Sequence, residues 1–531
     1  MTGGATCAAR LRRLSEQTRI TIFEKGPFVS FANCGLPYFI GNIIEKEDSL
    51  LLAKPQLFKE RFNIDVHVNH QVVGIDRAKK VVLKVVLVKS QGSGDVQHVS
   101  YDYLVLSPGA APVKPVVAGM DLPGDLCTAV KSAVIIGGGF VGLEMAENLV
   151  HLGIKVSILQ NTNQVMNPFD YEIVSPLHDV IKEHGVELRL GTTFTGFEQN
   201  GSKVKVLTKD SQSLEADIVI LAIGVRPDVE IAKQAGLEIG SFGGIRTNEK
   251  MQTSDPSIYA VGDCIETKDF QTREWTNIPL AGPANRQGRI AADAIMGRDV
   301  AYKGVLGTAI CKVFEGIVAC TGLSEKMLIK KQIRYQKYYL FPNHHVGYYP
   351  GAEQIHMKIL FDPENGKILG AQAFGTEGVD KRIDILAVAI QSGRTVHDLE
   401  DMELCYAPQF GAAKDPINLA GMIGSNYMKN EHPLCHWNDK EVVDLMNGNN
   451  NGILIDVRSN AEYEDGHAPN AVNIPLPELR LKLEGLSKDK PLYVYCRVGQ
   501  RGYYATRLLL LNGFIVKNVS GGFLAYESSN K

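Results

Sequence analysis

The stretch Gly137-Gly138-Gly139-Phe140-Val141-Gly142 constrains this chain more than any other, because it stands between an apolar strand-like run, 133–136, and a helical pattern, 143–152. Glycines at 137, 139 and 142 have the spacing that permits a tight turn, close backbone approach to a pyrophosphate, and close packing of helix on strand. A further strand pattern, 155–159, completes a βαβ unit, so a dinucleotide is expected on a parallel sheet. An acidic residue about 20 positions past the turn would hold the ribose hydroxyls. Here that place falls on Gln160, followed by Asn161, Thr162 and Asn163, with no Arg or Lys to pair a 2′-phosphate. This favours NADH over NADPH.

A second layout of the same kind opens the chain. Gly3-Gly4-Ala5-Thr6 leads into a helical pattern over 8–16, and a strand over 19–23 closes on Glu24, where a ribose-binding carboxylate belongs. That arrangement suits the adenosine half of FAD. The chain begins inside the motif, without the strand and first glycine that would precede Gly3, so weakened FAD binding is expected. The same Arg-rich, acid-poor residues superficially resemble a transit peptide, but the nucleotide reading accounts for them better. Further on, a short strand over 257–260 closes on Gly262-Asp263, and 303–421 reads as mixed α/β with strand-like runs 310–314, 356–361 and 368–373. An Asn-rich stretch, 446–452, sits near the join to a smaller unit that opens with a strand over 453–456 and contains a second, 492–495, which runs straight into Cys496. Alternating strands and helices imply parallel sheets covered by helices.

Composition removes several function classes. At 531 residues, and about 150 per domain, three to four domains are expected. With 56 Lys+Arg against 59 Asp+Glu the net charge is −3, so neither nucleic acid nor an anionic membrane is indicated as a partner. No apolar run approaches the roughly 20 residues of a membrane span, and a soluble protein is expected. Nine cysteines without a Cys-x-x-Cys pair argue against a zinc ribbon, a dithiol redox motif and a secreted disulfide framework. The default is a reducing, cytoplasmic compartment, with no metal site.

Ser30-Phe31-Ala32-Asn33-Cys34-Gly35-Leu36-Pro37-Tyr38 is the sharpest chemical signal of the first half. To attack sulfur Cys34 must be a thiolate, which requires nearby positive charge, hydrogen-bond donors or a flavin. The string resembles coenzyme A-disulfide reductases of the pyridine nucleotide-disulfide oxidoreductase superfamily, and the resemblance extends from Gly3 to about Gly424. It implies one redox cysteine, Cys34, resting as a mixed disulfide with a small thiol, and a homodimer. It further implies that Thr6, Arg10, Arg13, Ser30, Asn33 and Lys414 contact coenzyme A and that Gly262-Asp263 bind the flavin's ribityl chain. Arg10 and Arg13, one helical turn apart, would meet phosphates from one helix face. Tyr348 and Tyr406 match a pair that reaches across the dimer to the partner's cysteine, where phenols act as acids. The connection 119–131 is short for this family.

The smaller unit resembles rhodanese over about 439–523, through Ile455-Asp456-Val457-Arg458 with Glu462 and through Gly466-His467-Ala468-Pro469 continuing to Pro475. Its active loop would be Cys496-Arg497-Val498-Gly499-Gln500-Arg501, where backbone N–H groups and an arginine, Arg497 or Arg501, stabilise a thiolate and its persulfide. The expected fold class is α/β, with two Rossmann-like FAD/NAD-binding domains, an α+β dimerisation domain and a C-terminal α/β rhodanese domain. The expected boundaries are 1–130 and 246–302 for the FAD domain, 131–245 for the nicotinamide domain, 303–430 for dimerisation and 439–531 for rhodanese. The expected cofactors and substrates are FAD, NADH, coenzyme A and small thiols, disulfides or persulfides. An NADH oxidase or peroxidase cycling Cys34 through sulfenic acid, and a flavin-poor sulfur carrier, stay open as alternatives.

Overall fold

The computed structural model describes residues 2–86, 96–120 and 130–529. It divides into two compact units, Met1–Leu159 with Thr193–Gly307, and Gln160–Thr192 with Thr308–Lys531.

In the first unit the helix Thr2–Leu14 lies against the helix Ala281–Ile295. The approach is so close that a Cβ on Gly288 would stand 2.2 Å from the Gly3 carbonyl oxygen, and one on Gly3 would stand 2.8 Å from Val261. Gly3 and Gly4 therefore lie inside the helix, not in a turn ahead of it, and Gly3 is small because two helices meet there. The helix starts earlier than the expected 8–16, since the apolar periodicity of Cys7, Ala8 and Leu11 buries one face while the two glycines are tolerated under packing. Thr21–Glu24 pairs in parallel with Asp65–Val68, and Ile258–Ala260 with Leu104–Leu106. Arg12 is buried, and its guanidinium donates to the carbonyls of Phe62, Asn63, Ser15 and Glu16, so this cation is spent on structure.

The nucleotide unit has Ser132–Ile136 between Lys155–Leu159 and Ile218–Leu221, all parallel, with the helix Phe140–His151 following the glycine turn. The short connection 119–131 falls mostly on residues 121–129, outside the described residues.

The second unit holds two sheets. Five antiparallel strands run in the order Ala309–Val313, Gly316–Gly322, Ile368–Gly375, His356–Phe361, Gln336–Leu340, and the helices Tyr171–Glu183 and Val379–Gln391 pack on them. Five parallel strands follow in the order Leu434–Cys435, Val516–Val519, Leu492–Tyr495, Ile453–Asp456, Val472–Asn473. This sheet takes its edge strand from upstream of the expected boundary at 439. Lys358, on the antiparallel sheet, is fully buried, with its Nζ 2.9 Å from Asp170, 2.5 Å from Glu172 and 2.5 Å from Glu325. Burial opposes its charge, but Tyr339 and the three carboxylates outweigh that and hold its pKa well above the ordinary value. Such a cluster is satisfied only as a whole, and loss of one partner leaves a buried charge exposed to the apolar interior. Among the described residues no helix is long and apolar enough to cross a membrane.

Candidate functional site

The glycine turn has the geometry its sequence implies. Gly137 has φ +109°, and a Cβ there would meet the Ala222 carbonyl oxygen at 2.3 Å. A Cβ on Gly142 would stand 1.9 Å from the Gly137 carbonyl, so only glycine lets helix and turn close on each other. Around Gly139 nothing lies within 4 Å of such a Cβ, and no side chain caps the helix that starts at Phe140. Open space and a helix N-terminus without a side-chain cap at this point fit a dinucleotide pyrophosphate. Gln160, next after the strand Lys155–Leu159, is buried, and its amide donates to Thr162 Oγ1 at 2.6 Å.

The residues assigned to FAD have a mixed geometry. Glu24 ends its strand as expected, and its carboxylate accepts the Gly26 N–H at 2.7 Å. Gly262 turns with φ +84°, its N–H donating to Gln287. Burial pushes the Asp263 carboxyl above the usual range, against the pull of the chain's N-terminal charge. Gly4 donates its N–H to Ser107 Oγ at 3.1 Å, so that group is already used within the protein.

Cys34 sits in the one-turn 3₁₀ segment Asn33–Gly35, and it is exposed. The Ala32 N–H bonds to the Leu50 carbonyl at 2.8 Å, and a Cβ on Gly35 would strike Leu50 Cδ2 at 2.4 Å, so the string around Cys34 is seated closely on Leu50. Asn33 beside it is exposed, Ser30 is half-buried, and Thr6 accepts from Asn285 Nδ2 at 3.1 Å. The two arginines lie one helical turn apart, but their side chains differ in what they meet. Arg13 is exposed, whereas Arg10 turns to Asp293, with a 2.8 Å ion pair. The acid that captures it lies far away in sequence, beyond what local spacing can reveal.

In the second unit Tyr348 and Tyr406 come together, with their hydroxyl oxygens 2.9 Å apart and both rings exposed. The shared hydrogen bond raises the pKa of Tyr348. Lys414 is exposed, and its neighbour Asp415 is buried against Arg382 at 2.8 Å.

The rhodanese-like loop follows the strand Leu492–Tyr495. Cys496 is 1% exposed, and its Sγ accepts the Gly499 N–H at 3.2 Å. Gly499, φ +105°, opens the helix Gln500–Leu511. Arg501 reaches toward the sulfur while Glu462 grips it twice, at 2.7 and 2.6 Å. That guanidinium holds the Glu462 carboxyl at about 2. Underneath, Arg458 is buried on Asp456, 2.6 Å away, and against the Phe523 ring.

Two dinucleotide-type units, an antiparallel dimerisation sheet and a cysteine loop of persulfide type define a flavin- and NAD(P)H-dependent disulfide oxidoreductase joined to a rhodanese domain. A family model, pyridine nucleotide-disulphide oxidoreductase, matches residues 2–288, its dimerisation domain matches 308–415, and a rhodanese-like domain matches 438–529. The chain belongs to the pyridine nucleotide-disulphide oxidoreductase family. It is similar to the coenzyme A disulfide reductase of Staphylococcus haemolyticus, 32% identical over 438 residues that cover 79% of this chain and 96% of that one. Among solved structures, reduced CoADR-RHD of Bacillus anthracis is 44% identical with a TM-score of 0.95, covering 99% of this chain and 96% of that one. An NAD-dependent persulfide reductase from A. fulgidus is 32% identical with a TM-score of 0.88, covering 99% and 98%.

Sequence reasoning gave Glu462 no role beyond its motif and missed Asp293 and the Lys358 cluster. A lysine inside the apolar strand His-Met-Lys-Ile-Leu-Phe is a signal that could have pointed to the cluster.

Proposed function

We propose that this chain is an NADH-preferring, FAD-dependent reductase of coenzyme A disulfide, coenzyme A persulfide or polysulfide, acting as a homodimer in a cytoplasmic compartment and coupled to sulfur transfer at Cys496. The surroundings of Cys496 carry the sulfur-transfer half of the reading: it is enclosed, with its sulfur on a backbone N–H, as suits a persulfide anion. Cys34, in the short turn Asn33–Gly35 on another domain, is left for exchange with the disulfide.

The Cys34 thiolate attacks one sulfur of the acceptor. A mixed disulfide forms, the acceptor's S–S bond breaks, and the other sulfur leaves as a thiolate, or as hydrosulfide from a persulfide. Bound FAD, recharged by NAD(P)H, supplies the electron pair that splits the mixed disulfide. Glu24, Gly262 and Asp263 would hold the FAD, with Gly3 and Gly4 keeping their helix in place beneath it. Gly137, Gly139, Gly142 and Gln160 would hold NADH, since Gln160 is neutral and no cation follows it for a 2′-phosphate. Thr6, Arg13, Ser30, Asn33 and Lys414 would meet coenzyme A, and Arg10 would contribute only the part of its guanidinium that Asp293 leaves free. Tyr348 and Tyr406 hold protons on hydroxyls that can protonate a thiolate leaving the partner subunit's Cys34. Cys496 accepts or donates sulfane sulfur, with the pantetheine arm as the carrier between cysteines.

The test is steady-state NADH consumption by FAD-loaded protein with coenzyme A disulfide, coenzyme A persulfide and polysulfide as separate acceptors. Thiol and sulfide products support the reading. Oxygen-dependent NADH loss giving water or peroxide, with no acceptor response, would overturn it in favour of an oxidase.

A further inference from the structure

The loop around Cys496 is held at both ends by groups outside the rhodanese motifs. At its front, the Cys496 carbonyl accepts the Phe523 N–H at 2.7 Å and the Arg497 carbonyl accepts the Leu524 N–H at 2.9 Å. The residues just before these donors are seated on the dimerisation sheet: the Tyr339 N–H donates to Ser520 Oγ at 2.9 Å. A Cβ on Gly521, φ +78°, would come within 3.0 Å of the Tyr339 Cβ, and one on Gly522 within 2.3 Å of the Cys496 carbonyl oxygen. Tyr339 is itself fixed, its hydroxyl donating to Glu172 at 2.7 Å inside the Lys358 cluster.

At its back, the Gly499 carbonyl accepts Asn518 Nδ2 at 3.3 Å, and the same amide donates to His432 Nε2 at 2.8 Å. His432 belongs to the segment that joins the dimerisation domain to the rhodanese domain. It is 4% exposed and meets the Tyr503 ring edge-on, and the Tyr503 hydroxyl accepts from Asn426 at 3.2 Å in the helix Pro416–Met428. Gly502 leaves room for this amide, since a Cβ there would stand 2.3 Å from Asn518 Oδ1. The torsions of Gly499 decide where its N–H points, and that N–H is the donor found on the sulfur.

We infer that Tyr339, His432 and Asn518, none of which touches the sulfur, are positioning residues for Cys496, so that the dimerisation domain and the joining segment set the geometry of the sulfur-transfer loop. The inference rests on the reading of Cys496 as a sulfane-sulfur carrier. In that step the Cys496 thiolate attacks the outer sulfur of thiosulfate, the thiosulfate S–S bond breaks, the Cys496 persulfide forms, and sulfite leaves with the electron pair. A loop that relaxes would lose the N–H that stabilises both the thiolate and the persulfide.

The experiment uses the full FAD-loaded chain and compares His432→Leu, His432→Gln, Ser520→Ala and Cys496→Ser. Thiosulfate sulfurtransferase kcat and KM are measured beside the pH dependence of Cys496 alkylation, read on its own peptide by mass spectrometry. His432→Leu and Ser520→Ala should each lower kcat by up to about tenfold, the rate equivalent of one lost hydrogen bond. Both should move the alkylation midpoint to higher pH. His432→Gln, which keeps an acceptor, should restore most of both, and the Cys34-dependent reductase rate should stay unchanged throughout. Wild-type kcat and an unmoved alkylation midpoint in both deletion variants would overturn the inference, and Ser520→Ala decides it alone if His432→Leu fails to fold. If wild type shows no more sulfurtransferase than Cys496→Ser, the sulfur-transfer reading fails, while the alkylation profiles still decide whether these residues position the loop.

Discussion

Acidification from about pH 7.5 to about pH 5.5 should loosen the second compact unit through three histidines that fold as neutral bases. Burial holds His178 at about 4, His432 at about 3 and His436 at about 3. All three are closed off from solvent, at 5%, 4% and 7% exposure. Their folded-state values lie below the unfolded value of about 6.5, so the unfolded chain binds more protons in the interval between. Their contribution is therefore complete above about pH 6.5 and is lost as pH falls toward the folded values. One unit below the unfolded value each histidine costs about 1.4 kcal/mol, and the three together about 4 kcal/mol at about pH 5.5. That is a large fraction of the roughly 5–15 kcal/mol that holds a domain folded. Glu325 and Glu462, both held at about 2, keep their charge through this window and do not mask the effect. The assay is urea unfolding followed by Trp437 emission in a Trp275→Phe background, at several pH values and constant ionic strength. His432→Gln should reduce the pH slope by about a third. A free energy that stays flat over this pH range would refute the reasoning.

Three further outcomes are expected. Glu462→Gln should lower sulfurtransferase kcat by about tenfold, because Arg501 loses a charge-assisted grip on two oxygens; an unchanged kcat would mean that Arg501 is held by something else. Asp263→Ala should weaken FAD binding by about tenfold, seen as a lower flavin-to-protein absorbance ratio after dialysis, unless this carboxylate does not meet the flavin. The ratio of kcat/KM values for NADH and NADPH should exceed about ten, and a preference for NADPH would remove Gln160 from the nucleotide argument.

What the chain reveals in one dimension follows from how local each signal is. The turn at Gly137–Gly142 and the loop after Leu492–Tyr495 were legible because strand, turn and helix are consecutive in the chain there. Gly3 and Gly4 were misplaced into a turn because glycine at a helix–helix crossing carries the same letter as glycine in a phosphate loop. Only the close approach of Gly288 separates the two uses. The pairs Arg10–Asp293, Glu462–Arg501 and His432–Asn518 join residues distant in sequence, and no periodicity marks them. Tyr348 and Tyr406 were named through resemblance, whereas their shared hydrogen bond is a product of folding.

The central claim is that two cysteines run two separable reactions in one chain. It is tested most directly by measuring both reactions in Cys34→Ser and in Cys496→Ser, each loaded with FAD. Cys34→Ser should lose acceptor-dependent NADH oxidation by more than about a hundredfold while keeping thiosulfate sulfurtransferase activity, and Cys496→Ser should do the reverse with coenzyme A disulfide as acceptor. Full NADH-dependent disulfide reduction by Cys34→Ser would contradict the account.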